Sequence, residues 1–238
     1  ITYGDWSSDV CSSDLNFACF TGSPEVGVLV QQSTAQNAVP CTLELGGKSP
    51  QIVFEDADLD KALPIIVKAI TQNAGQTCSA GSRLLIQERI YEPFIARVAE
   101  AFRKVRVGTP EMDLDCGPIV NRKQFERVRN FIDDAVQSGV PLLAEGSIAD
   151  GCSADGYFVA PALFGSVPRD HRLACKEVFG PVLSAKSFKD EEDAIQLANA
   201  TEYGLVTGIW TENGGRQARV AKRIQDRKST RLNSSHRT

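Results

Sequence analysis

The sequence predicts an α/β fold, and three observations carry that expectation. Short apolar, strand-like runs alternate with amphipathic helical segments along most of the chain. The helical segments come with their own punctuation: Pro24 with Glu25 in the following turn, Asp58 ahead of Leu59, and Gly139 after Ser138. No internal repeat and no flexible linker interrupts the alternation.

In order, Phe17 to Phe20 is an apolar strand that ends at Thr21-Gly22-Ser23, and a helix follows from Pro24 to about Ala35. Thr42 to Leu45 and Gln51 to Phe54 are short strands. A helix over Leu59 to Asn73 places Leu59, Leu63, Ile66 and Ile70 on one face, although Pro64 falls inside the pattern and should cost a hydrogen bond or bend the helix. Ser82 to Gln87 is a strand. Tyr91 to Val105 and Asn121 to Ser138 are amphipathic helices. Val140 to Glu145, Tyr157 to Phe164, Val182 to Phe188 and Val206 to Trp210 are strands, with a polar loop from Gly146 to Gly156. Glu191 to Asn199 and Arg216 to Ile224 are helical.

The two ends do not fit this pattern. Asp5 to Leu15 and Asp226 to His236 are rich in Ser, Asp and Asn and have no helical or strand period. One choice of codons for Asp5 to Leu15 gives a DNA whose reverse complement translates as Asp226 to Ser235 and opens the codon of His236. That DNA resembles a sequencing-library adapter. Residues 1–15 and 226–238 are therefore expected to be translated adapter that packs against nothing, and are set aside from fold reasoning.

The remaining stretch, Asn16 to Gln225, is long enough for one good core or for one domain with part of another. Net charge is −4, and with no basic patch this argues against nucleic acid as a partner. No apolar run reaches membrane-spanning length. The cysteines are scattered, without a Cys-x-x-Cys pair, as in a reduced, cytoplasmic protein and unlike a disulfide frame or zinc site. One histidine, His171, remains in this stretch and is read as a loop residue without a role. Ser-His-Asp, Cys-His and multi-histidine metal chemistries are thus short of parts.

Two motifs carry chemistry. Glu44 lies in Leu43-Glu44-Leu45-Gly46-Gly47-Lys48-Ser49-Pro50, an apolar setting that would raise its pKa towards the range of a general base. Cys78 lies in Gly75-Gln76-Thr77-Cys78-Ser79-Ala80-Gly81-Ser82-Arg83. Glycines and small residues there leave room beside the sulfur and permit a backbone N–H to face a developing oxyanion. A thiol nucleophile and a separate carboxylate base are what covalent chemistry on a carbonyl requires. Lys48 reads either as a group that tunes local charge or as half of a structural ion pair. Thr21-Gly22-Ser23 between a strand and a helix suits an anion at the helix N-terminus, or an ordinary cap.

Both motifs, in this order and separation, resemble the aldehyde dehydrogenase superfamily. Phe20-Thr21-Gly22-Ser23 and Glu177-Val178-Phe179-Gly180-Pro181-Val182 extend the resemblance across Asn16 to Gln225. It implies an aldehyde dehydrogenase-like α/β fold: the end of a Rossmann-type cofactor domain over residues 16–43, then most of an α/β catalytic domain over 44–225. It also implies oxidation of an aldehyde to a carboxylic acid with hydride transfer to NAD or NADP. Cys78 would be the nucleophile and Glu44 the base that activates water. Gly22 and Ser23 would contact the pyrophosphate, Glu177 would hold the nicotinamide ribose, and Phe179 would pack beside the nicotinamide. The parent is expected to be a homodimer or homotetramer, and the 238-residue chain alone is expected not to turn over. A CoA-acylating semialdehyde dehydrogenase and a cofactor-free cysteine esterase or acyl-transferase are the alternatives. Glu44 disfavours the first, and the missing histidine base disfavours the second.

Overall fold

The computed structural model describes residues 15–225 and 228–230. The chain divides into two compact units, one ending at Gly46 and the other beginning at Gly47. That division falls beyond the expected start of a catalytic domain at Glu44, so Glu44 belongs to the first unit.

The first unit is a βαβ turn of chain. Strand β1 (Ala18–Thr21) leads through helix α1 (Pro24–Gln36) to β2 (Cys41–Glu44), and the two strands pair in parallel with Thr21 opposite Glu44. Ser23 is the N-cap of α1, its Oγ accepting from Val26 N–H at 3.4 Å, and Pro24 occupies the first helical position where its missing N–H is no loss.

The second unit is built on a seven-stranded sheet. Its strands in chain order are β3 (Pro50–Val53), β4 (Arg83–Gln87), β6 (Leu142–Glu145), β8 (Ala162–Phe164), β9 (Val182–Phe188), β10 (Val206–Trp210) and β11 (Lys228–Thr230). Across the sheet the order is β11-β10-β3-β4-β9-β8-β6, and every pair is parallel except β8 with β6. A separate parallel pair joins β5 (Arg106–Val107) to β7 (Ser147–Ile148).

Both faces of the sheet are covered, so β3 is buried throughout and β4 nearly so, instead of alternating between buried and exposed. Helices α2 (Leu59–Thr71) and α3 (Glu88–Lys104) cover one face, packing Ile66, Ile70, Phe94 and Phe102 against Val53, Leu84, Ile86 and Trp210. Helices α6 (Glu191–Ala198) and α7 (Gly214–Arg223) cover the other, bringing Ile195 and Val220 to Ile52, Leu85 and Ile209. Helix α4 (Arg122–Gln137) organises a third cluster through Val128, Phe131 and Ala135. No helix among the described residues is long and apolar enough to cross a membrane.

Pro64 lies inside α2, exposed as Asp60 is, and its missing N–H leaves the Asp60 carbonyl without its helical donor. Other expectations need correction. The strand expected over Tyr157 to Phe164 is confined to β8, because Pro161 has no N–H for a ladder and Tyr157 instead accepts from Ile119 N–H. His171 has a structural role. It caps the short helix α5 (Arg172–Cys175), its Nδ1 accepting from Leu173 N–H at 3.1 Å. The backbone of Lys228–Thr230, within the tail expected to pack against nothing, lies beside Val206–Gly208 as β11. Unpaired N–H and C=O groups along β10 accept any extended segment that reaches them, whatever its side chains. Residues 1–14, which include most of the other tail, lie outside the described residues.

Candidate active site

In the second unit, three loops converge at the N-terminal ends of the parallel strands. The first precedes β3 and carries Gly47, Lys48 and Ser49. The second joins α2 to β4 and carries Cys78. The third precedes β9 and carries Glu177 to Pro181.

Backbone packing joins them. A Cβ built on Gly47 would lie 2.2 Å from the Cys78 carbonyl oxygen, and one built on Gly75 would lie 2.2 Å from the Gly180 carbonyl oxygen. Only glycine fits at either place. The Glu177 carboxylate accepts from Gly47 N–H at 3.0 Å. Gly47 therefore touches the nucleophile loop through its Cα and the Glu177 loop through its amide.

The loop before Cys78 is strained. Asn73, Ala74 and Gly75 all have left-handed φ, at 52°, 54° and 67°. Left-handed backbone costs a non-glycine residue roughly 1–2 kcal/mol, and such outliers persist only where the surroundings hold them. Gln76 does much of the holding. Its Oε1 accepts from Val120 N–H at 2.8 Å, and its Nε2 donates to the carbonyls of Asn73 at 3.0 Å and Pro118 at 3.3 Å. Cys78 itself is half-buried. Phe179 is a second outlier, with φ 57°. Gln124 of α4 clamps it by donating to the Val178 and Phe179 carbonyls at 3.0 and 2.7 Å, and Arg127 donates to the Glu177 carbonyl at 2.6 Å.

Arg83 completes the frame from inside. It is 5% exposed, and Nε, Nη1 and Nη2 donate to the carbonyls of Lys48, Leu197 and Ala198, each at 2.7 Å. Lys48 is 2% exposed and makes no ion pair among the described residues. Burial, with the Arg83 charge adding to it, pulls its ammonium down to about 7, against the opposing pull of Glu177 and Cys175.

In the first unit, Glu44 ends β2 at the same edge as Gly22 and Ser23. Gly22 N–H donates to the Glu44 carbonyl at 3.0 Å, so that amide is committed and an anion contact there falls to Ser23 and the first turn of α1. Glu44 is half-buried, more open than its leucine neighbours suggested.

Gln124, Arg127 and the Gln76 clamp escaped the sequence reading. Gln124 and Arg127 stand three apart on the polar side of an amphipathic helix, where the period alone assigns solvent. No local signal marks carbonyl partners fifty or more residues away. Gln76 sits inside the nucleophile motif, where its type alone suggests no role.

Comparison with known proteins identifies the family. The chain matches the aldehyde dehydrogenase family over residues 9–235. It is 42% identical over 214 residues to an aldehyde dehydrogenase of Emericella nidulans, covering 89% of this chain and 42% of that one. A Burkholderia cenocepacia protein assigned to the aldehyde dehydrogenases has 53% identity and a TM-score of 0.93, over 94% of this chain and 47% of that one. Betaine aldehyde dehydrogenase from Staphylococcus aureus, solved with NAD+, has 30% identity and a TM-score of 0.89, over 98% and 46%. The chain spans less than half the length of each of these relatives. With Gly47, Cys78 and Glu177 joined through backbone in the second unit and the family matched over residues 9–235, the chain belongs to the aldehyde dehydrogenase family.

Proposed function

We propose that this chain supplies the nucleophile and base of an NAD(P)-dependent aldehyde dehydrogenase that oxidises a small-molecule aldehyde to its acid. The observation that carries the reading is the Glu177–Gly47–Cys78 assembly. A carboxylate of the right type for a ribose diol and a thiol of the right type for a carbonyl are held through one glycine.

The Cys78 thiolate adds to the aldehyde carbon and forms a C–S bond, while the carbonyl oxygen takes the negative charge. The tetrahedral adduct loses hydride and becomes a thioester. Glu44 then takes a proton from water, the resulting hydroxide oxygen adds to the thioester carbon, and the C–S bond breaks to release the acid and the thiolate. When bound, the nicotinamide supplies the hydride acceptor. The residues present fit such a cofactor. Ser23 and the α1 N-terminus suit its phosphates. The Glu177 carboxylate is an acceptor of the type a ribose diol needs. Phe179 stands two residues beyond it for the nicotinamide face. The described cysteines are all free, in keeping with a cytoplasmic enzyme, and a homodimer or homotetramer is the assembly we favour.

The test is rapid mixing of the whole enzyme with NAD(P) and a small aldehyde. Cys78→Ala should form no NAD(P)H. Glu44→Gln should give at most one equivalent in a burst and then stall at the thioester. Full steady turnover by Glu44→Gln would overturn the base assignment, and release of that stall by CoA would point to the acylating alternative.

A further inference from the structure

We propose that the small cavity at the starts of β3, β4 and β10 is a seat for a monovalent anion of halide size. Lys48, Arg83 and Thr207 line it, with Tyr203 and Gln225 at its edge. Three observations converge on it.

The first is an orphaned donor. Lys48 is 2% exposed and its Nζ has no hydrogen-bond partner among the described residues. A buried ammonium without a partner is costly enough that a counter-ion or loss of the proton is required. The second is a like charge beside it. Arg83 is 5% exposed and remains a cation at neutral pH even though burial lowers it to about 10. Its three hydrogen bonds go to neutral carbonyls, so they hold its shape without answering its charge, and two of its five N–H groups are left over. The third is that no carboxylate lines the cavity among the described residues, while Thr207, 1% exposed, adds a hydroxyl with no partner there.

A water molecule would satisfy Lys48 and Thr207 but would bring no negative charge to Arg83 or to the Lys48 ammonium. A single negative ion answers both needs at once. The cavity has room for a body about the size of one water, which favours a single-atom anion over acetate or sulfate. The groups that face Lys48 electrostatically are Arg83, which repels the ammonium, and the Glu177 carboxylate and Cys175 thiol, which favour it. The Glu177 carboxylate accepts from Gly47 N–H, and Lys48 Nζ makes no hydrogen bond to it among the described residues.

The experiment is thermal unfolding of the 238-residue chain with sodium chloride or bromide exchanged for sodium gluconate at constant ionic strength. At about pH 6, below the depressed lysine value, halide should raise Tm saturably, by about 3–5 °C at a tenfold excess over Kd. At about pH 9 the lysine is neutral before binding, so the same halide must also recruit a proton and the rise should shrink. Lys48→Met should abolish the halide dependence while leaving the chain folded, since it replaces a buried charge by an apolar side chain of similar length. Thr207→Val, which changes only the hydroxyl, should weaken it by roughly tenfold in Kd. A Tm that does not distinguish halide from gluconate at pH 6, or a rise that survives unchanged in Lys48→Met, would overturn the proposal and leave the cavity to water.

Discussion

Gly47 and Cys78 meet backbone to backbone: a methyl group added at the Gly47 Cα would fall 2.2 Å from the Cys78 carbonyl oxygen. The obstacle is main chain, which cannot swing aside as a side chain tip can. Gly47→Ala should therefore displace the nucleophile loop, and kcat should fall far more than Tm. The check is single-turnover NAD(P)H formation beside a melting curve for the same protein. Wild-type kinetics from the alanine variant would contradict the packing.

Gly75 is constrained twice, by its φ of +67° and by the Gly180 carbonyl oxygen, 2.2 Å from where an added methyl would sit. Gly75→Ala should cost about 2–4 kcal/mol, combining left-handed strain with overpacking. Urea unfolding would measure it. Gly139 offers the control, since its φ is also positive, at +74°, but nothing lies within 4 Å of its Cβ position. There only the backbone term, about 1–2 kcal/mol, should be lost.

Gln76→Met keeps the length of the side chain and removes three hydrogen bonds. The carbonyls and amide it leaves behind predict a loss of about 1–3 kcal/mol. The Val120 amide should lose hydrogen-exchange protection specifically, and protection in β4 should stay intact.

The pH dependence of stability should carry the mark of Lys48. Its folded value of about 7 lies below the ordinary 10.5. Between those values the unfolded chain binds more protons than the folded one, so stability rises with pH across that window. The slope is at most about 1.4 kcal/mol per pH unit. In halide-free buffer, urea midpoints should climb from neutral to alkaline pH in the wild type and stay flatter in Lys48→Met. A midpoint that falls over this range in the wild type would reverse the sign and refute the assignment.

Much of the fold was legible because its signals are local. Asp58, Asn121 and Asp190 each accept from an amide three residues on, as N-caps do, and β9 and β10 begin and end where their apolar runs do. What could not be read were relationships set by tertiary contact. β5 and β7 are two residues each, too short to show a period. The His171 cap depends on a turn that no residue pattern announces. In the site, motif context nominated Cys78 and Glu44, because a nucleophile and a base restrict which side chains can serve, whereas Glu177 was nominated by the family resemblance alone. Gln124 and Arg127 were invisible because their partners are backbone carbonyls, and any sequence offers those. Lys48 read either as a group that tunes local charge or as half of an ion pair; the structure buries it beside another cation.

Arg83 ties the carbonyl of Lys48 to the last carbonyls of α6. Those carbonyls are the ones a helix end leaves without intrahelical donors, so one guanidinium closes the helix and fixes the glycine loop together. The two elements are more than a hundred residues apart in sequence, yet neither can open without breaking bonds to the same side chain. Their amides should therefore exchange with solvent as one cooperative unit. Fraying at the end of α6 would then be felt one residue from the glycine that braces the nucleophile.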